Sequence, residues 1–256
     1  MNKPHKTNQQ GFTLVEIAIV LVIFGLVLSA FLVPLRAQRE LAFINQTNNT
    51  LDIAKLSLLG FAQSQGRLPC PATATSNGLA SPSLGGNCDT QLGFLPAATL
   101  GIQPTNSQGF AIDAWNNPIM YAVTQSDAGG DNTPDYTTNG LNDGINVVGI
   151  DALIANTNNL RVCNAVTGAT ATRCSSGAES NYLINNAVAV LYSRGATGSQ
   201  IAGSLDETAN VSVASNPKMV FVSRNISAAP NEFDHIVTWI SPYVLYNSMI
   251  QAGQLH

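Results

Sequence analysis

The chain has 256 residues, 45% of them apolar and only 10% charged, with a formal net charge of −4. That length allows one domain with a real hydrophobic core plus an appended element. The acidic balance argues against broad nucleic-acid binding, which needs a basic footprint, and no nucleic-acid partner is expected.

Residues 1–11 are polar and carry Lys3 and Lys6. A nearly unbroken apolar run follows from Phe12 to Leu35, with Glu16 as its one ionisable side chain. At about 1.5 Å per helical residue the run spans roughly 36 Å, enough for a bilayer core. An ordinary secretory signal has its small-residue cleavage site after the apolar region. Here the distal end offers Pro34, Leu35 and Arg36, a poor site, whereas Gly11–Phe12 precedes the run. Cutting there keeps the apolar segment and leaves nine basic against fifteen acidic side chains, a charge near −6.

The stretch Gly11-Phe12-Thr13-Leu14-Val15-Glu16 resembles the prepilin leader shared by type IV pilins and type II secretion pseudopilins. The resemblance implies that a prepilin peptidase cuts after Gly11 and methylates the new amine of Phe12. It also implies that Glu16 serves assembly, meeting the N-terminal amine of an adjacent subunit in a fibre. A carboxyl group in an apolar helix costs on the order of 2.5–3.5 kcal/mol, so it needs a partner of that kind. Lys3 and Lys6 favour a cytoplasmic N-terminus, while Arg36 and Arg39 on the far side weaken the bias. The resemblance and the cysteines place the head outside.

Beyond the apolar run, Leu41, Ile44, Asn48, Leu51, Ala54, Leu58 and Phe61 recur at three- and four-residue steps, the pattern of an amphipathic helix. Gly60 and Gly66 bracket its expected end, and Pro69 and Pro71 forbid continuation. A helix from Phe12 to about Phe61 would be near 75 Å long. Pro34 should kink or locally melt it. Residues 67–112 read as loop, with a short turn near Ala97–Leu100.

Asp113, Trp115, Pro118 and Tyr121 follow in the order of the Asp-Pro-Trp-Gly-x-Pro-Tyr motif of major pseudopilins, which this segment resembles; Ala114 and Asn116 depart from it. Packing and turn chemistry suffice for these residues: Trp115 as an apolar anchor, Asp113 bonding turn amides, Pro118 fixing the entry to a strand. Strands are expected at Ile119–Thr124, Ile145–Ile150, Ala187–Tyr192, Met219–Ser223 and Phe233–Ile240. Ser241–Gly253 reads as a helix, capped by Ser241 with Pro242 in its first turn and Gly253 at its end.

Cys70, Cys88, Cys163 and Cys174 allow three disulfide pairings, of which pairing by proximity is the simplest. Free thiols are the other reading; neither close pair has the C-x-x-C spacing of a zinc site. Disulfides imply an oxidising compartment. Asp127, Asp131, Asp135, Asn139 and Asp143 recur at every fourth residue, but the glycines between them exclude a helix. Such a loop could wrap calcium, as related pseudopilins do with a different loop. The alternating calcium-loop pattern ending in Glu is absent, so turn chemistry accounts for it and no metal or cofactor is expected. Ser193-Arg194-Gly195 lacks the preceding glycine of a nucleophile turn, and His235 reads as a strand residue. No catalytic residue and no enzyme activity are expected.

The expected architecture is α+β: a long N-terminal transmembrane and stalk helix packed on an antiparallel β-sheet head, with loop-rich insertions and a short C-terminal helix. The expected divisions are a leader at 1–11, a transmembrane segment at 12–35, a stalk at 36–66 and a head at 67–256. The expected function is that of a structural subunit of a type IV pilus or a type II secretion-like pseudopilus, a minor or tip subunit given its bulky head. The alternatives are a major pilin with an adhesive head and a membrane-anchored extracytoplasmic ligand-binding protein. The resemblance implies as partners the prepilin peptidase, other pilin or pseudopilin subunits, an inner-membrane assembly platform and, indirectly, an outer-membrane secretin. It implies single-pass residence in the inner membrane with the head in the periplasm, then residence in the fibre.

Overall fold

The computed structural model describes residues 11–141, 143–156, 159–174, 181–198, 204–211, 219–228 and 232–255, and for 29–36 the backbone alone. The expected leader therefore lies outside the described residues except for Gly11. Two compact units divide the chain, Met1–Phe43 and Ile44–His256. Helix α1, Leu14–Gln65, supplies the first unit's helix and the first element of the second. Its backbone stays helical through Pro34, so the expected melting is not found there. One proline removes one ladder bond and leaves the turns on either side intact.

In the first unit every described side chain from Phe12 to Leu28 is exposed. Arg39 lies over the ring of Phe43, 5.0 Å from its centroid. Among the described residues no helix is long and apolar enough to cross a membrane; the expected 12–35 span includes the side chains at 29–35, which are not described.

In the second unit α1 buries Thr47, Leu51, Ala54, Leu58 and Ala62. This face differs from the expected stripe: Asn48 is exposed and Phe61 is half-buried, while Thr47 and Ala62 take the inward positions. The helix passes through Gly60 and ends where Gly66 turns to φ 68, with Gly66 N–H bonding Ala62 O at 2.9 Å. The remaining elements, in chain order, are β1 Leu92–Phe94, α2 Ala97–Leu100, β2 Met120–Val123, α3 Ile145–Val148, α4 Ile150–Ala155, β3 Leu160–Cys163, β4 Tyr182–Ala187, β5 Ala189–Ser193, α5 Leu205–Val211, β6 Val220–Val222, β7 Ile236–Ile240 and α6 Pro242–Gln251.

Four strands form an antiparallel sheet in the order β1-β2-β5-β7. A second sheet has the order β4-β3-β6, antiparallel between β3 and β4 and parallel between β3 and β6. Strand alternation sorts the side chains between two cores. Tyr121, Val123, Ala189, Leu191 and Ile240 join Leu51, Leu58 and Ala62 of α1 and Leu245 and Met249 of α6. Met120, Ala122, Val190 and Tyr192 meet Leu160, Val162 and Phe221 of the second sheet. The larger sheet is thus covered by helices on one face and by the smaller sheet on the other. The fold is α+β, as expected.

Three sequence expectations are corrected. Ile145–Ile150 is not a strand: Gly144 (φ 109) and Gly149 (φ 85) bracket one helical turn, and α4 starts directly after it. The Ala187–Tyr192 run is two strands: β4 ends at Ala187, β5 starts at Ala189, and Val188 carries the chain from one sheet to the other. Residues 67–112 contain β1, which the loop-rich composition concealed. The C-terminal helix matches its signals: Ser241 Oγ accepts from Val244 N at 3.3 Å, Pro242 sits in the first turn, and Gly253 follows at φ 72.

Candidate functional site

The sequence-predicted residues fall in two places, one in each unit. In the first, Thr13 stands before α1 and Glu16 lies in its first turn. Thr13 Oγ1 accepts from Glu16 N at 3.2 Å, and Glu16 Oε2 accepts from Thr13 N at 2.9 Å and from Thr13 Oγ1 at 3.0 Å. This reciprocal arrangement is a capping box, which satisfies two amide donors that every helix start leaves unpaired. The carboxylate also sits at the positive end of the helix dipole. Phe12, whose amine cleavage would create, is 82% exposed. Leu14, Val15, Ala18, Ile19, Val22 and Ile23 make a continuous apolar face beside it. The spacing of Gly11, Phe12 and Glu16 was visible in the sequence; the role of Thr13 was signalled by its Thr-x-x-Glu pattern.

In the second unit Asp113 organises the turn that begins its motif. Its Oδ1 accepts from Trp115 N at 2.9 Å and Asn117 N at 2.8 Å, and its Oδ2 accepts from Ser193 Oγ at 2.5 Å. Burial pushes the Asp113 carboxyl up from its ordinary range, and the hydrogen bonds from Ser193, Asn117 and Trp115 oppose that shift. Asn116 adopts φ 67, a left-handed conformation that Asn tolerates where the resembled motif has Gly. The turn is then fastened on three sides. Ala114 N bonds Thr47 Oγ1 of α1 at 3.2 Å, Asn117 Nδ2 bonds Gly195 O at 2.7 Å, and Tyr121 OH bonds Pro69 O at 3.0 Å. Trp115 and Pro118 are half-buried, so Tyr121, fully buried, is the stronger anchor. Ser193 is also fully buried and serves Asp113, a structural role rather than that of a nucleophile.

Disulfides join Cys70 to Cys88 and Cys163 to Cys174, closing separations of 18 and 11 residues. The first ties the chain after α1 to the loop before β1. The second fastens the end of β3 to the loop beyond it.

Two groups of acidic side chains bear on metal binding. In the loop after β2, turn chemistry holds most of the carboxylates. Asp127 accepts from Gly130 N and Asn132 N, Asp131 from Thr133 N, and Asp135 Oδ2 from Ala128 N. Yet Ser126 Oγ, Asp135 Oδ1 and Asp143 Oδ2 are buried with no hydrogen-bond partner among the described residues. The Asp135 carboxyl is pushed up to about 6, first by burial and then by the neighbouring Asp143 and Asp127, against the Ala128 amide. The Asp135 and Asp143 carboxyls lie within hydrogen-bond reach of each other, so a proton held by Asp135 joins them, and its loss leaves two facing hard oxygens that a cation can bridge. Fourfold spacing alone did not reveal them.

The second group is Glu207, Asp234 and His235, whose ligand atoms lie within 4.8 Å of one another. Hydrogen bonds already hold most of these atoms, although Asp234 Oδ1 is buried with no partner among the described residues. Asn210 accepts from Val222 N and donates to Val222 O, which fixes its amide, and its second N–H points at His235 Nδ1, 3.1 Å away. The Nδ1 lone pair is therefore engaged and the ring proton sits on Nε2, leaving neither nitrogen free to ligate. The carboxylates hold turns instead: Glu207 Oε1 accepts from Asp234 N, and Asp234 Oδ2 accepts from Thr197 N and Oγ1. His235 lies just before β7 rather than within a strand.

Residues 6–32 match the prokaryotic N-terminal methylation motif, the prepilin-type cleavage and methylation signal of type IV pilins and pseudopilins. No curated protein and no solved structure matches the chain. The motif supports a type IV pilin-like or pseudopilin subunit. It implies processing by a prepilin peptidase and assembly with other pilin subunits. Proteins with this signal are structural rather than enzymatic.

Proposed function

We propose that the protein is a minor or tip subunit of a type IV pilus or a type II secretion-like pseudopilus. It is stored in the inner membrane by the apolar segment 12–35 with its head in the periplasm, cut behind Gly11, methylated on Phe12 and built into the fibre through α1. The observation that carries this reading is the prepilin-type signal at 6–32, with Glu16 one turn inside α1. Cleavage creates a cationic amine at Phe12, and the Glu16 carboxylate of one subunit can neutralise the amine of the next. In a low-dielectric helix bundle an unpaired charge is strongly destabilising, so this pairing sets the register of addition. The bulk of the head supports the minor role, because a large head crowds a lattice in which the major subunit repeats. The Asp113–Tyr121 segment favours the pseudopilus over the pilus through its resemblance to the major pseudopilin motif.

Fractionation tests the reading. The chain should co-sediment with sheared fibres at well below one copy per major subunit. Glu16→Ala should be cut normally and remain in the membrane fraction. A Glu16→Ala subunit that enters fibres at wild-type levels would remove the assembly role. Stoichiometric abundance along the fibre would make this the major subunit.

A further inference from the structure

We propose that His235, Asn210 and Val222 form an acid-released latch that holds α5 against the open edge of β6. Among the described residues, β6 pairs with the strand β3 on one side. On its other edge Asn210 Oδ1 accepts from Val222 N at 2.7 Å, and Asn210 Nδ2 donates to Val222 O at 2.9 Å. A planar amide set against a strand in this way reproduces the donor–acceptor pair of a sheet neighbour. It also guards an edge whose three residues, Val220, Phe221 and Val222, are all apolar and buried.

The amide has one hydrogen left, and that hydrogen faces His235 Nδ1 at 3.1 Å. Neutral His235 with its proton on Nε2 accepts it. Protonated His235 carries hydrogens on both nitrogens, so a donor would face a donor. Turning the Asn210 amide over would satisfy the imidazolium and break both bonds to Val222. One amide cannot serve a charged His235 and the β6 edge together. Uptake of a proton by the ring is therefore coupled to release of the edge.

The surroundings favour the neutral ring. His235 is 6% exposed and stacks on Tyr192 of β5 at 5.9 Å and against Phe233 at 5.6 Å. The charged and titratable groups around it are Asp234 beside it in the chain, Arg194 after β5 and Glu207 of α5. Burial pushes the imidazole down to about 4; Asp234 pulls the other way and Arg194 adds to the drop. The folded value thus lies below the ordinary 6.5. Stability from the neutral ring is fully present above 6.5 and is lost as pH falls towards 4.

Full-length protein in detergent micelles, labelled with nitrogen-15, tests the latch. Long-range proton–nitrogen correlation at pH 7 should show the His235 proton on Nε2; a proton on Nδ1 would overturn the proposal. The Val222 amide protection factor, corrected for intrinsic exchange, should lie below that of Val190 in the larger sheet, because the latch opens without global unfolding, and should fall by about tenfold per pH unit in the window between 6.5 and 4. In His235→Gln, whose carbonyl oxygen can take the Asn210 hydrogen, Val222 protection should stay flat across that window. A flat wild-type profile, or Val222 protection equal to that of Val190 at every pH, would contradict the latch. A fall that persists in His235→Gln would assign the proton to the Glu207–Asp234 pair and overturn it as well. If the variant does not fold, the wild-type tautomer and protection profile decide alone.

Discussion

Asp113 and Ser193 lie 80 residues apart in the chain and share a buried 2.5 Å hydrogen bond. Through it the turn before β2 is fixed to the end of β5, the strand that pairs with β2. Ser193 Oγ also accepts from Gly195 N at 2.9 Å, so one hydroxyl serves two buried groups. Ser193→Ala should destabilise the head by roughly 2–4 kcal/mol, because it orphans a buried acceptor and a buried donor at once. A double-mutant cycle with Asp113→Ala, followed by denaturant unfolding, should give a coupling of about 1–3 kcal/mol. Strictly additive single mutants would show that the contact does not hold the turn.

The inward face of α1 makes a second prediction. Leu58 is fully buried in the core shared by α1, the larger sheet and α6. Leu58→Ala should cost about 2–5 kcal/mol in unfolding of the head, while Leu56→Ala, at a 68% exposed position on the opposite side of the helix, should cost a few tenths at most. Equal losses at the two positions would contradict the packing described.

The orphaned oxygens of Ser126, Asp135 and Asp143 make a third. With the Asp135 carboxyl raised from 3.8 to about 6, the pair weakens the fold as pH rises through that interval in the absence of a cation. In EDTA at pH 7, Asp143→Asn should therefore stabilise the head by about 1 kcal/mol, by removing a like charge and offering Asp135 a donor. Millimolar calcium should raise the melting temperature of the wild-type protein and leave that of Asp143→Asn unmoved. Identical melting of the wild type with and without calcium would restore turn chemistry as the whole account of the loop.

What the sequence disclosed depended on the range of the interaction. Local signals read well: the Ser241-Pro242 helix start, the Gly66 stop and the apolar run of β2 all carry their cause within a few residues. The Thr-x-x-Glu cap was equally local, but it was not among the sequence expectations. Ile145–Ile150 misled because two glycines at positive φ decide its conformation, and composition alone does not show which conformation a glycine takes. Val188 misled because a run buried on both faces gives no alternation to mark where one sheet ends and the other begins. The second group of contacts was out of reach for a different reason. Thr47 with Ala114, Asn117 with Gly195, and Asn210 with Val222 and His235 are long-range pairings of ordinary polar residues, and nothing in their own neighbourhoods selects the partner. Asn116 is the intermediate case: it departs from the motif's Gly, and at φ 67 it adopts a left-handed conformation that both Gly and Asn tolerate.

The central claim is that the apolar segment survives processing because the cut bond lies before it, at Gly11–Phe12. Intact-mass and N-terminal peptide mass spectrometry of the protein purified from its native membrane measures this directly. The account predicts a chain that begins at Phe12 with one added methyl group on its amine. A chain that retains residues 1–11, or that begins beyond Leu35, would contradict it.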